Sequence, residues 1–152
     1  MKCKKYKTIL RASLLLSLAS CGISPANPAN TKNGASISIS DKEANSFVTA
    51  LLNSGVPRKL SDLSNAYVIV QEINCHIDSS GTAPITCSLR QFDGDLSASG
   101  SEAATLAYIL SAHGAQKPST SSSDIGLSVR NIRCSFSLVG PASRTTCKFT
   151  TN

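Results

Sequence analysis

The chain has 152 residues with 15 Lys+Arg against 9 Asp+Glu, a formal charge of +6, six cysteines and no Trp. Five of the cations, Lys2, Lys4, Lys5, Lys7 and Arg11, precede residue 21 with no acid among them, so the remainder holds 15 − 5 = 10 basic and 9 acidic residues. A body at +1 lacks the clustered positive field that sequence-independent phosphate binding requires, which argues against a nucleic-acid partner, and the length suits one domain or two small ones.

Residues 1–20 combine a Lys-rich start, a short apolar run from Ala12 to Ala19 and small residues at the end, the three-part pattern of a secretory signal. The run is well short of the roughly 20 residues of a membrane-spanning helix. It closes on Leu18-Ala19-Ser20-Cys21, which resembles the lipobox of bacterial lipoproteins. The resemblance implies that the Cys21 thiol carries a diacylglycerol, that cleavage makes Cys21 the first residue, and that its amino group is acylated as well. With Gly22 rather than Asp next, it implies the outer membrane as the destination. Two or three acyl chains, at roughly 0.8 kcal/mol per buried methylene, amount to a lasting anchor without a spanning segment. Residues 21–34, rich in Pro, Asn, Gly and Ala, read as a tether between lipid and domain.

Displaced by 59, the remaining sequence falls on itself: Ser40 on Ser99, Glu43 on Glu102, Ala44 on Ala103, Leu51 on Leu110, Gly55 on Gly114, Val70 on Val129, Ile73 on Ile132 and Cys75 on Cys134. One residue inserted after Gly140 brings Cys147 onto Cys87. The expected architecture is α+β: a tandem duplication of a β-α-β-β unit, with repeats at 35–92 and 93–152 that form one compact domain because neither half buries much core alone.

In chain order, the alternation of Ile37 and Ile39 predicts a strand, as does that of Leu96 and Ala98 in the second unit. Ser40 with Glu43, and Ser99 with Glu102, spell capping boxes, so a helix is expected from each. Behind the first box Ala44, Phe47, Val48, Leu51 and Leu52 form one apolar stripe ended by Gly55; Ala103, Leu106, Ala107 and Leu110 repeat it before Gly114. Loops are expected over 56–65 and 115–124. In the next strand Val68 and Val70 share one face, then Ile73, Cys75 and Ile77 share the other, and Leu127 and Val129, then Ile132, Cys134 and Phe136, do the same. That switch predicts a bulge near Gln71-Glu72 and Arg130-Asn131. Asp93-Gly94 marks a tight turn joining the units. The sum is an antiparallel six-stranded sheet with both helices on one face and a pseudo-two-fold between the units.

With Cys3 in the signal and Cys21 on lipid, Cys75, Cys87, Cys134 and Cys147 remain, an even set suited to two disulfides in an exported chain. Four cysteines allow three connectivities; preserving one bond per repeat selects Cys75–Cys87 and Cys134–Cys147.

No catalytic, cofactor or metal site emerges. His76 adjoins Cys75 and points to the opposite face of its strand, His113 sits at a helix end, and neither recurs in the other unit. Glu43 and Glu102 are read as caps, Asp93 and Asp95 flank a turn, and the glycines form no phosphate-binding loop. The second unit is distinguished by Arg130, Arg133, Arg144 and Lys148, with no acid after residue 124, a possible partner-binding face for an anionic envelope component or a protein. The expected function is that of a non-enzymatic, lipid-anchored cell-envelope protein, periplasmic or surface-facing, with a binding or structural role. The alternative is an inhibitor or immunity protein that blocks an enzyme through a disulfide-stapled loop.

Overall fold

The computed structural model describes residues 34–78, 80–117, 124–139 and 144–152. The segment read as a signal, Cys21, and the stretch before Gly34 read as a tether lie outside the described residues. The elements run β1 (Ser36–Ser40), α1 (Asp41–Asn53), β2 (Lys59–Leu60), β3 (Asn65–Asp78), β4 (Thr86–Arg90), β5 (Asp95–Ser99), α2 (Gly100–Ala112), β6 (Gln116–Lys117), β7 (Asp124–Ser137) and β8 (Thr146–Thr151). The fold is α+β, with every strand pair antiparallel and a sheet order of β1-β8-β7-β3-β4-β5.

Two-residue strands inside the expected loops correct the six-strand count: β2 pairs with β3 and β6 with β7. They fit because β3 and β7 are long. β4 pairs only from Glu72 onward, so β2 takes the vacant edge at Ala66 and Tyr67. The β4–β5 hairpin turns at Gly94 (φ 137°), whose carbonyl accepts from Gln91 N at 3.1 Å, as Asp93-Gly94 predicts.

The strands alternate as their sequences require. Ile39, Val68, Val70, Ile73, Leu89, Leu127, Val129, Ile132 and Phe149 are buried toward the helices. Phe47 and Leu51 of α1, and Leu106 and Leu110 of α2, fill the layer above them. Phe47 stacks on Phe149 with ring centroids 5.9 Å apart. Disulfides join Cys75 to Cys87 and Cys134 to Cys147, each between residues directly opposite in the ladder. Their sulfurs face the helices: Sγ of Cys87 lies 3.7 Å from the Ala103 carbonyl and Sγ of Cys147 4.0 Å from that of Ala44.

The pairing of the outer strands crosses the sequence. β1 lies against β8 and α1 covers that pair, whereas β5 lies against β4 under α2. One side of the molecule is therefore contiguous, β3-β4-β5-α2, and the other is assembled from β7-β8 and the distant β1-α1. The helices run antiparallel: Asn53 Nδ2 donates to Glu102 Oε1 at 3.4 Å at one end, and His113 Nε2 lies 2.9 Å from Glu43 Oε1 at the other.

Those contacts correct the capping-box expectation. Both helices start where Ser40 and Ser99 predicted, but neither serine caps with its side chain. The first helical residue is left-handed in each, Asp41 (φ 54°) and Gly100 (φ 59°), which turns the orphan amides away from the preceding hydroxyl. Asp41 N donates instead to the Thr145 carbonyl at 2.9 Å, and the glutamates are free to bridge the helices. Hydrogen bonds from the Ser101 hydroxyl, its own backbone N–H and Asn53 hold the Glu102 carboxyl below the usual range.

The change of facing also occurs where predicted. Asn131 adopts φ 55°, and the β7–β8 register shifts between Arg130 and Arg133. The β3–β7 ladder keeps one register from Val70↔Ile132 to Glu72↔Arg130. Both central strands switch at the same level, so their ladder stays matched while β8 absorbs the offset.

Candidate functional site

One sheet face carries the helices; the other is open and almost entirely hydroxyl, amide and charge. Alternation places Ser36, Ser38 and Ser40 of β1, Thr146, Lys148 and Thr150 of β8, and Ser97 and Ser99 of β5 on this open side. The charges are not spread evenly over it.

Three of the four sequence-predicted residues meet there. Arg133 and Lys148 are directly opposite across β7 and β8, both exposed, and Arg130 lies beyond the bulge opposite Thr150. Like charges facing each other across a ladder are destabilising unless something answers them. Among the described residues no carboxylate lies within ion-pairing distance of Arg130, Arg133 or Lys148. Glu72, the register partner of Arg130, is engaged by Arg90, whose Nη1 lies 3.1 Å away. Arg133 is instead held by an aromatic ring, its guanidinium carbon 5.4 Å from the centroid of Tyr67. Arg144 is exposed just before β8, beside the buried Thr145, which bonds to Asn45.

The structure adds two residues that sequence reasoning missed. Lys59 of β2 pairs with Tyr67 and so shares its face, giving a patch of Lys59, Tyr67, Arg133 and Lys148. Lys59 sits in a segment read as loop, and only the two-residue β2 reveals the relation. The opposite end of the open face is a shallow depression whose lining includes Asn74, His76, Thr86, Ser88, Gly126 and Ser128. His76 is exposed there, on the face predicted for it. His113, assigned to a helix end, caps α2, touches Glu43 and sets its ring edge-on to Phe149 at 6.4 Å. Among the described residues no group of three or more His, Cys, Asp or Glu is placed to hold a metal ion.

The β3–β4 loop is organised by Asp78. Its carboxylate accepts from Ser80 Oγ and N, Thr82 Oγ1 and Ala83 N, which lower its pKa to about 2, the Ser80 hydroxyl contributing most. A carboxyl whose folded pKa is depressed supports the structure fully above its ordinary value of 3.8 and loses that support as pH falls through about 2. The Ser80 and Ala83 amide resonances are therefore expected to hold steady down to the ordinary carboxyl range and to move with a midpoint of about 2; a midpoint at 3.8 would show the loop unbonded.

Comparison of the chain with protein-family models, with curated proteins and with solved structures finds no match in any of the three.

Proposed function

We propose that the chain is a lipid-anchored cell-envelope protein, held at the outer membrane through Cys21, whose domain binds an anionic macromolecule on the open face of its sheet. The carrying observation is the opposed pair Arg133 and Lys148, two exposed cations that meet no carboxylate among the described residues. The two disulfides support export, because such bridges persist in oxidising compartments. We read the two halves as a duplicated β-α-β-β unit in which one copy became basic. In support, β1, α1 and β3 begin and end 59 residues before β5, α2 and β7.

Dextran sulfate serves as a probe for the face. The double reversal Arg133→Glu/Lys148→Glu is expected to weaken its binding at least roughly tenfold, counting about 1 kcal/mol per cation near an anionic surface, and to flatten the salt dependence. Ser88→Ala, at the neutral end, leaves both unchanged. Equal affinity of the reversal and the parent chain removes the face from consideration. For the anchor, Cys21→Ala is expected to release the protein from membranes into the soluble fraction; retention there rejects lipidation at Cys21.

The inhibitor reading keeps one specific support, the bonds from Ser80 and Ala83 to the Asp78 carboxylate inside the Cys75–Cys87 bridge. A photo-crosslinking residue at Ser135 or at Thr82 separates the two readings in cells. Adducts from Ser135 alone support the open face, and adducts from Thr82 alone support the loop.

A further inference from the structure

The two ends of the central β3–β7 pair have different chemistry. At one end, the β2–β3 turn and the residues after β7 present Leu60, Leu63, Leu138 and Val139, exposed by 62%, 97%, 40% and 62%. The turns belong together: the Ser64 carbonyl accepts from Leu138 N at 2.7 Å and from the Ser137 hydroxyl at 3.3 Å. At the other end the chain between β6 and β7 reads Pro-Ser-Thr-Ser-Ser-Ser, and Ser79-Ser80 follow β3. Displacement by 59 sets Leu60 and Leu63 against Ser119 and Ser122, and Leu138 and Val139 against Ser79 and Ser80. Four large apolar residues at one tip thus correspond, in the sequence, to four serines.

The apolar tip is braced. Asp62 accepts from Ser64 N at 2.7 Å, Asn65 N at 2.8 Å and the Asn65 amide, so Leu63 is presented at the apex of a fixed turn. The Asn65 side chain is the largest cause holding that carboxyl below its ordinary range. Exposed Arg58 and Lys59 flank the turn, and no acidic residue follows Leu138 in the sequence. Lys59 leads directly into the Arg133–Lys148 patch.

We propose that this tip enters the interfacial layer of an anionic bilayer, with Leu60, Leu63, Leu138 and Val139 among the acyl chains and Arg58 and Lys59 at the headgroups. An exposed apolar tip flanked by Arg58 and Lys59, its one carboxylate, Asp62, taken up by the amides of Ser64 and Asn65, matches a deformable, negatively charged surface, whereas a protein hot spot would need a pocket fitted to it. The geometry permits contact with the membrane that holds the anchor. Cys21 lies 34 − 21 = 13 residue steps before Gly34, a reach of up to about 45 Å. From the level of Arg130, Thr150 and Ser36, where the tether joins the sheet, β7 needs 8 more residues to reach Leu138, about 26 Å. The proposal rests on the anchored reading only for bringing a bilayer within this reach.

The absence of Trp makes the test direct, since one introduced Trp is the sole indole emitter. Full-length Leu63→Trp and, as the control at the serine tip, Ala83→Trp are purified from the expressing cell and added to vesicles of phosphatidylethanolamine and phosphatidylglycerol with brominated acyl chains. Trp at 63 is expected to shift to the blue and to be quenched roughly twofold or more beyond Trp at 83, and to lose much of that quenching in phosphatidylcholine alone. Equal quenching at both sites, or none at 63, overturns the proposal. Blue emission of Trp at 63 without vesicles would overturn it in favour of a second copy covering the tip. Release of Cys21→Ala from membranes reports on the anchor separately, so the two readings fail distinguishably.

Discussion

A chain with Cys75, Cys87, Cys134 and Cys147 all replaced by Ala is expected to be largely unfolded near 37 °C. The bridges span 12 and 13 residues, and the loop-entropy relation assigns each about 3 kcal/mol. About 6 kcal/mol together rivals the whole stability of many domains, roughly 5–15 kcal/mol. The helices sit close over the sulfurs, with Ala44 and Ala103 the residues that permit the approach. Removing one bridge should lower Tm by roughly 10 °C, and removing both should abolish the cooperative transition seen by circular dichroism. A four-Ala chain with a sharp melt within a few degrees of the parent would show that the apolar layer suffices without the staples.

The second large effect is expected at Phe47. Its side chain is fully buried and stacked on Phe149, so truncation deletes core volume and a ring pair at once. Phe47→Ala should cost about 3–5 kcal/mol, read as a lower urea midpoint with unchanged slope. Tyr108→Ala, on the outer surface of α2 with 76% exposure, should cost less than about 0.5 kcal/mol. Equal effects at the two positions would mean that Phe47 is not in the core. Phe149 joins this pair from β8, whereas Phe47 follows β1, so the same measurement probes the seam between the distant ends of the chain.

Much of this architecture was legible because it rests on local periodicity. The stripe from Ala44 to Leu51, the helix stops at Gly55 and Gly114, and the changed facing around Gln71 and Asn131 all record which side of an element meets the core. Cysteine pairing was legible because residues that must oppose each other stood at like places in both halves. What sequence could not supply was anything set by pairing between distant segments. Nothing in Ser36–Ser40 announces β8 as its neighbour, and nothing in Lys59 announces Tyr67. The capping boxes misled for a related reason. The motif presumes a right-handed first turn, and the tertiary bond from Asp41 N to Thr145 accompanies a left-handed one. Of the candidate site, the cationic residues were visible as a run without acids. Their convergence on one side of Tyr67, and the apolar tip beside them, depended on register.

The crossed seating of β1 fixes an order of events. A chain delivered N-terminus first releases β1-α1 at the outset, yet the strand that receives it, β8, is the last to emerge. Meanwhile β3, β4, β5 and α2 can pair locally and close the Cys75–Cys87 bridge, while β3 gains its other neighbour only with β7. Helix α1 can rest on α2 before then, but the ring of Phe47 meets Phe149 only once β8 is in place. Loss of β8 therefore leaves β1 without its strand partner and Phe47 without its stacking ring, so damage at one end of the domain is felt at the other.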